Sequence, residues 1–311
     1  MEILENKIPC LVCKHQTSDV IVSTKTMMGS DRLKWSFNQC SNCKMVFLSP
    51  RVKAEALGTY YTESYLPYRG ASAWGKYAHL VEGDMQKIDL ARVNTVKKYF
   101  DHQEGTVLDV GCGKPTFLKQ LKSKSRYDCV GLDFSDEGRK AEPETYSSLR
   151  LFQGSIEDLP DHVQPDVITM WHYLEHDYNP IETLEFLKKR QKKSAILIIE
   201  VPNHDSYSRR KYGNYWSGYH SPRHTGLYTP ATLKTLLENC GWEVIDQYTF
   251  GTLDPYTLDW MSRMEKEDIE WSASMENRLI GYVVGKMIRP IYYFHKYLSL
   301  GFMTMVARIK V

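Results

Sequence analysis

Asp109, Gly111 and Gly113 stand in the string Asp109-Val110-Gly111-Cys112-Gly113, directly after the apolar run Thr106-Val107-Leu108 and shortly before Phe117 and Leu118. An apolar strand that ends in an acid and turns through glycines into a helix start offers backbone N–H groups and a close backbone approach to a ligand. A second strand-like run, Tyr127 to Leu132, ends in Asp133, where a carboxylate can accept hydrogen bonds from both hydroxyls of a ribose. Together these residues read as an adenosine site.

Four of the seven cysteines form a second constellation, Cys10-x2-Cys13 and Cys40-x2-Cys43. Two such knuckles can present four thiolates tetrahedrally to Zn²⁺, and the stretch from Lys14 to Gln39 is long enough for a β-hairpin between them. The expectation is a zinc ribbon with a structural ion, because four thiolates leave no open coordination position. Cys112, Cys129 and Cys240 fall in or beside core elements and read as buried thiols.

Ligands in open α/β sheets sit beyond the carboxyl ends of the strands, and here those ends are rich in histidine. The fourth strand runs into Trp171-His172-Tyr173-Leu174-Glu175-His176, and the fifth into Pro202-Asn203-His204 and a long aromatic loop ending at His220-Ser221-Pro222-Arg223-His224. His172-x2-Glu175-His176 also matches a metallopeptidase string, but that chemistry needs both histidines on one helical face, and here the first follows a strand end. The loop from Tyr207 to Tyr228 interleaves Tyr207, Tyr212, Tyr215, Trp216, Tyr219 and Tyr228 with Arg209, Arg210, Lys211 and Arg223. Aromatic faces suit sugar rings or bases, and the cations suit phosphate.

The D-x-G-x-G spacing resembles class I S-adenosylmethionine-dependent methyltransferases more than dinucleotide dehydrogenases. The resemblance implies that Asp109 orients the methionine end of S-adenosylmethionine, that Gly111 and Gly113 admit it and that Asp133 holds the ribose. It extends the cofactor pocket to Phe134, Ser155, Ile156, Trp171 and Tyr65. Two positions depart from the pattern: Pro115 replaces a glycine, and Ser155 replaces an aspartate that contacts the adenine amino group. The Leu-Glu-His element and the Pro-Asn after the fifth strand resemble ubiquinone-pathway O-methyltransferases. Sugar C-methyltransferases are similar too, in the cysteine knuckles, the tyrosine-rich connector and a histidine ahead of an aromatic-Thr helix cap, here His224 before Tyr228-Thr229-Pro230. Ser221 and Arg223 stand where those sugar enzymes carry Tyr and Glu. Methyl transfer requires positioning and removal of a proton, so His224 and His176 are the candidate bases or orienting groups, with Tyr219 as hydrogen-bond partner. A small RNA 2′-O-methyltransferase class carries a similar glutamate-histidine cluster, and that likeness implies a second metal held by Glu175, His176 and a lid histidine.

The elements that must position these residues are seven strands with helices between most of them: Thr106 to Val110, Cys129 to Leu132, Leu149 to Phe152, Asp166 to Met170, Ala195 to Val201, Glu243 to Phe250 and Phe302 to Lys310. Strand alternating with helix predicts an α/β fold with a mainly parallel sheet and helices on both faces. The resemblance implies a Rossmann-like class I methyltransferase fold, a seven-stranded mixed sheet with the last strand as an antiparallel edge, here preceded by a small zinc ribbon. The expected organisation is a ribbon over 1–50, a connector over 51–75 and the methyltransferase domain over 76–311, with a helical insertion at 251–300. From Leu279 onward the insertion carries Lys286, Arg289 and Lys296 among apolar residues. It reads either as a basic amphipathic helix on a membrane or acidic partner, or as a cap or dimer helix buried by its own protein.

With 311 residues, 42% apolar content and a formal charge of +2, the chain can bury an α/β core and has no global basic footprint for nucleic acid. A stretch of secretory length is absent from the first residues, so the expected compartment is the cytoplasm. The expected partner is a small acceptor, including a nucleotide- or lipid-linked sugar. RNA methylation and a non-catalytic binding module are the alternatives.

Overall fold

The computed structural model describes residues 3 to 310 except 30, 32, 63, 141 and 193. The first fifty residues form β1 (Leu4–Glu5), β2 (Ser18–Lys25), β3 (Lys34–Cys40) and β4 (Val46–Leu48), and β5 (Arg51–Val52) follows. The cysteine knuckles fold alike. Lys14 N–H donates to the Cys10 carbonyl (2.9 Å) and Lys44 N–H to that of Cys40 (3.1 Å), with both lysines at positive φ, +57° and +65°. Each tight loop thereby turns its two sulfurs toward one point.

After the short helix α1 (Leu66–Arg69) and the long α2 (Ala78–Tyr99), strands and helices alternate: β6 (Thr106–Val110), α3 (Thr116–Ser123), β7 (Asp128–Asp133), α4 (Glu137–Lys140), β8 (Arg150–Gln153), β9 (Val167–Trp171), α5 (Pro180–Arg190) and β10 (Ile196–Pro202). Then come α6 (Tyr207–Tyr212), β11 (Gly226–Leu227), α7 (Pro230–Asn239), β12 (Trp242–Tyr248), α8 (Pro255–Glu267), α9 (Leu279–Met287) and β13 (Phe302–Ile309). The large sheet has the order β12-β13-β10-β9-β6-β7-β8, parallel except for β13. The last strand is therefore not the edge. It lies antiparallel between β10 and β12, and β12 takes the edge, where exposed side chains alternate with buried Trp242 and partly buried Val244, Asp246 and Tyr248.

Burial explains the strand sequences. β9 and β13 are covered on both faces and are almost continuously apolar, as central strands between helical layers must be. Pro115 is compatible with the turn because it precedes α3, where its missing N–H costs no helical bond and its carbonyl accepts from Lys119 N–H (3.0 Å).

The ribbon does not stand apart. Its sheet has the order β11-β4-β3-β2, so its outer strand comes from residues 226–227. Cys10, Leu11, Val12, Cys40, Met45 and Phe47 share one apolar core with Leu174, Tyr228 and the α7 leucines. The insertion also binds the ribbon: Met28 N–H donates to Glu265 Oε1 (2.9 Å) and Lys25 pairs with Asp268. It contributes Tyr256, Trp260, Trp271 and Tyr292 to an aromatic core with Tyr65 and Trp74. The insertion is thus a cap on one face only, because the other face of 280–298 is apolar and exposed.

Candidate functional site

The glycine turn closes onto the next strand. Gly111 and Cys112 N–H groups both donate to the Leu132 carbonyl (2.8 and 3.1 Å). Gly111 has φ +74°, and a Cβ there would lie 2.5 Å from the Tyr173 ring, so backbone freedom and close approach both demand glycine. Gly113 N–H donates to Asp133 Oδ2 (2.8 Å) and Ser135 N–H to Oδ1 (3.0 Å), which holds the carboxylate at the rim of the turn. Burial pushes the Asp133 carboxyl up, and these two N–H bonds partly offset it. Asp109 is buried and accepts from Thr169 Oγ1 (2.7 Å); burial pushes its carboxyl up to about 7, against that bond and the charge of Arg92.

Around this turn lie the other predicted pocket residues. The Phe134 side chain is 65% exposed, with its ring 5.9 Å from that of Tyr61. Ser155 donates through both N–H (2.7 Å) and Oγ (2.9 Å) to Asp158 Oδ2, so the acid absent at 155 stands three residues later. Ile156 is buried beneath it. Trp171 packs edge-on against Phe117 (5.7 Å) under the Arg92 guanidinium (5.3 Å). Tyr65 lies over the histidine side, its ring 5.5 Å from that of His220 and 4.1 Å from the Arg223 guanidinium.

Beyond the ends of β9 and β10, three histidines meet. His176 and His224 have ring centroids 4.5 Å apart, and His220 and His224 4.7 Å apart. His176 Nδ1 faces the Arg223 carbonyl (3.1 Å) and His224 Nδ1 the Gly218 carbonyl (2.8 Å). Because a carbonyl only accepts, each Nδ1 carries the proton and each Nε2 keeps its lone pair. Burial lowers both pKa values, so both rings are neutral. The partner of His224 is His220, whose Nδ1 lies 3.3 Å from His224 Nε2. Tyr219, expected in that place, instead packs against Phe37, Trp216 and His204.

His172, Glu200 and His220 were not among the predicted site residues. His172 bridges Glu175 Oε1 (3.3 Å) and Glu200 Oε1 (3.0 Å); burial would lower its pKa, but the two carboxylates outweigh burial and push it up to about 9. Glu200 also accepts from Thr252 N–H (2.6 Å), tying the insertion to the strand end. An acid inside the apolar strand Ile198-Ile199-Glu200-Val201 was the available signal, since a buried carboxylate needs partners.

Two groups of side chains have the donor chemistry for a metal. One atom from each of Cys10, Cys13, Cys40 and Cys43 falls within a 4.8 Å set, with Cys10 Sγ to Cys43 Sγ 3.4 Å and Cys13 Sγ to Cys40 Sγ 3.6 Å. Tetrahedral zinc with bonds of about 2.3 Å spaces its sulfurs about 3.8 Å apart, so the four thiols fit that ion. Glu175, His176 and His224 form the second group within the same limit, and Glu175 Oε2 is buried without a partner among the described residues.

The loop cations are mostly engaged internally. Arg223 is fully buried and donates to the carbonyls of Tyr60 (2.8 and 2.5 Å), Met27 (2.8 Å) and Met28 (3.0 Å). Lys211 pairs with Asp259 (2.6 Å) and Arg210 with Asp205 (2.8 Å). Trp216, Tyr219 and Tyr228 are buried as well. The aromatic loop is therefore a packed wall and not an open basic stacking platform.

The profile of a family described as a methyltransferase domain matches residues 79–247, more than half of the chain. The chain belongs to this family, and its core is that of a class I, S-adenosylmethionine-dependent methyltransferase. The mitochondrial ubiquinone biosynthesis O-methyltransferase of Candida albicans is 30% identical over 138 residues, a match spanning 42% of each protein. Among solved structures, a mycolic acid cyclopropane synthase complexed with SAH and CTAB is similar in fold, with TM-score 0.50 and 12% identity over 70% of this chain and 83% of that one. An S-adenosylmethionine-dependent methyltransferase from Clostridium acetobutylicum has TM-score 0.48 and 11% identity over 76% of this chain and 96% of that one.

Proposed function

We propose that this protein transfers a methyl group from S-adenosylmethionine to a hydroxyl oxygen of a small acceptor, with sugar and glycan precursors as the first class to screen. The observation that carries the reading is a pair of neutral histidines, half-buried His176 and buried His224, each with Nδ1 spent on a carbonyl; the His224 Nε2 lone pair already accepts from His220 Nδ1–H (3.3 Å), so the base is assigned to Nε2 of His176. Bound S-adenosylmethionine supplies the methyl on a sulfonium, a leaving group that needs no covalent help from the protein. Asp109 receives the ammonium of the methionine end, and Asp133 the ribose. Phe134, Ile156 and Trp171 shape the adenosine pocket, with Ser155 and Asp158 at its polar rim and Tyr65 beside the acceptor. With the cofactor bound, His176 Nε2 would take the proton of the acceptor hydroxyl. His224, held between the Gly218 carbonyl and His220, would orient the acceptor. Cys10, Cys13, Cys40 and Cys43 hold one Zn²⁺ that fixes the ribbon and takes no part in the transfer. Internal use of the loop cations favours an uncharged acceptor over RNA.

Calorimetric titration with S-adenosylmethionine and S-adenosylhomocysteine comes first, since absence of binding to folded protein would leave only a non-catalytic module. In a methyl-transfer assay, His176→Ala should lower kcat by about a hundredfold with cofactor affinity unchanged. Full activity in that variant would remove His176 from the chemistry. The unpartnered Glu175 Oε2 favours a second reading, in which Glu175, His176 and His224 hold a divalent cation that polarises the acceptor oxygen. Elemental analysis separates the two readings. One zinc per chain leaves His176 as the base, whereas a second ion lost in both Glu175→Gln and His224→Ala places a metal there.

A further inference from the structure

We propose that the outer face of residues 280–298 docks on an anionic lipid surface. Of the twenty large apolar side chains that are exposed among the described residues, nine fall in this one segment, so the exposure is concentrated and not scattered. Ile280, Val283, Val284, Met287 and Ile288 follow the helical spacing of α9 and its C-cap, Phe294 lies in the short turn beyond Pro290, and Ile280, Met287 and Ile288 are each about two-thirds exposed, at 68%, 66% and 69%. The opposite face is already used. Leu279 and Tyr292 are buried, Tyr282 packs edge-on against Trp260 (5.5 Å), and a Cβ at Gly285 would lie 2.1 Å from the Tyr256 hydroxyl. The segment is therefore held by one apolar face while a second apolar face meets water.

Charge selects the occupant. From Asn277 to Val311 the sequence has no Asp or Glu, while Lys286, Arg289 and Lys296 flank the stripe. An acid from a neighbouring element reaches one of these three, Asp254 pairing with Lys286. Arg289 donates to the Gly285 carbonyl (2.9 Å) along the edge of the helix. A second copy meeting this stripe across a two-fold axis would bring the same cations together with no acid of the segment to receive them. Anionic headgroups receive them, and acyl chains receive the apolar stripe. Tyr297, 84% exposed next to Lys296, has the amphipathic ring suited to the headgroup level.

The test is flotation with vesicles of phosphatidylcholine alone and of equimolar phosphatidylcholine and phosphatidylglycerol, an assay independent of methyl transfer. The full chain should float with the anionic vesicles, and salt should weaken the binding. Combined Ile280→Ser, Met287→Ser and Ile288→Ser changes should reduce partitioning roughly tenfold or more. Lys296→Glu should reduce it by a smaller factor. These side chains face solvent, so an unchanged melting temperature shows that the variants remain folded. Protein that stays in the aqueous fraction with both vesicle types overturns the proposal, as does binding that the triple variant retains. A wild-type dimer in sedimentation velocity that the triple variant abolishes, with no vesicle binding, would assign the stripe to self-association instead.

Discussion

At the scale of single residues, the role proposed for Asp109 would make cofactor capture depend on pH. Burial holds its carboxyl up at about 7 in the folded chain against an ordinary value near 3.9. The folded state thus binds this proton more tightly than the unfolded chain, and the stability it contributes is fully present below pH ~3.9 and lost as pH rises through about 7. In the proposed role, the ammonium of S-adenosylmethionine requires the ionised form. Affinity should therefore fall about tenfold per pH unit below 7. Asp109→Asn should bind at least about tenfold more weakly at pH 8 and show a flat profile, read by calorimetry from pH 5.5 to 8.5. A wild-type profile in the variant would show that another group receives the ammonium. The acid and glycines of this turn were legible in the sequence because they are neighbours along the chain. The pairing of His172 with Glu200 was not, because the ends of β9 and β10 bring them together only in space.

At the scale of elements, the core strands were legible to within a residue or two, since each is an apolar run bounded by polar turns. Their order was less so. No local pattern distinguishes an antiparallel strand at the edge from one inserted between β10 and β12, and β13 proved to be inserted. β11 is two residues long and carries no periodicity to detect. Arg223 joins these elements, because its guanidinium donates to carbonyls on the ribbon loop and the connector while lying over Tyr65. Lysine supplies one compact ammonium in place of that planar fork. Arg223→Lys should therefore cost about 2–4 kcal/mol of stability by chemical denaturation, from carbonyls left unpaired in the interior. A cost below about 0.5 kcal/mol would mean that water satisfies those carbonyls.

At the scale of the whole molecule, ribbon, sheet and insertion form one body around the histidines. The cysteines share a core with Leu174 and Tyr228, and Leu174 sits between Tyr173 and Glu175 in the loop that lines the site. Loss of the proposed zinc should therefore be felt at the site and not only in the knuckles. Treatment with a strong chelator, or Cys13→Ser, should lower the melting temperature and reduce S-adenosylmethionine affinity together. Retention of full affinity by a chelated, destabilised protein would show that the ribbon and the cofactor half are energetically separate. The borrowed strand β11 carries a further consequence, for the order in which the chain is made. β4 leaves the ribosome with an open edge, and its partner at residues 226–227 follows roughly ten to forty seconds later at ordinary translation rates. Through that interval a nascent ribbon offers unpaired backbone to any passing strand, so the emerging chain is most exposed to mispairing before its second half has been translated.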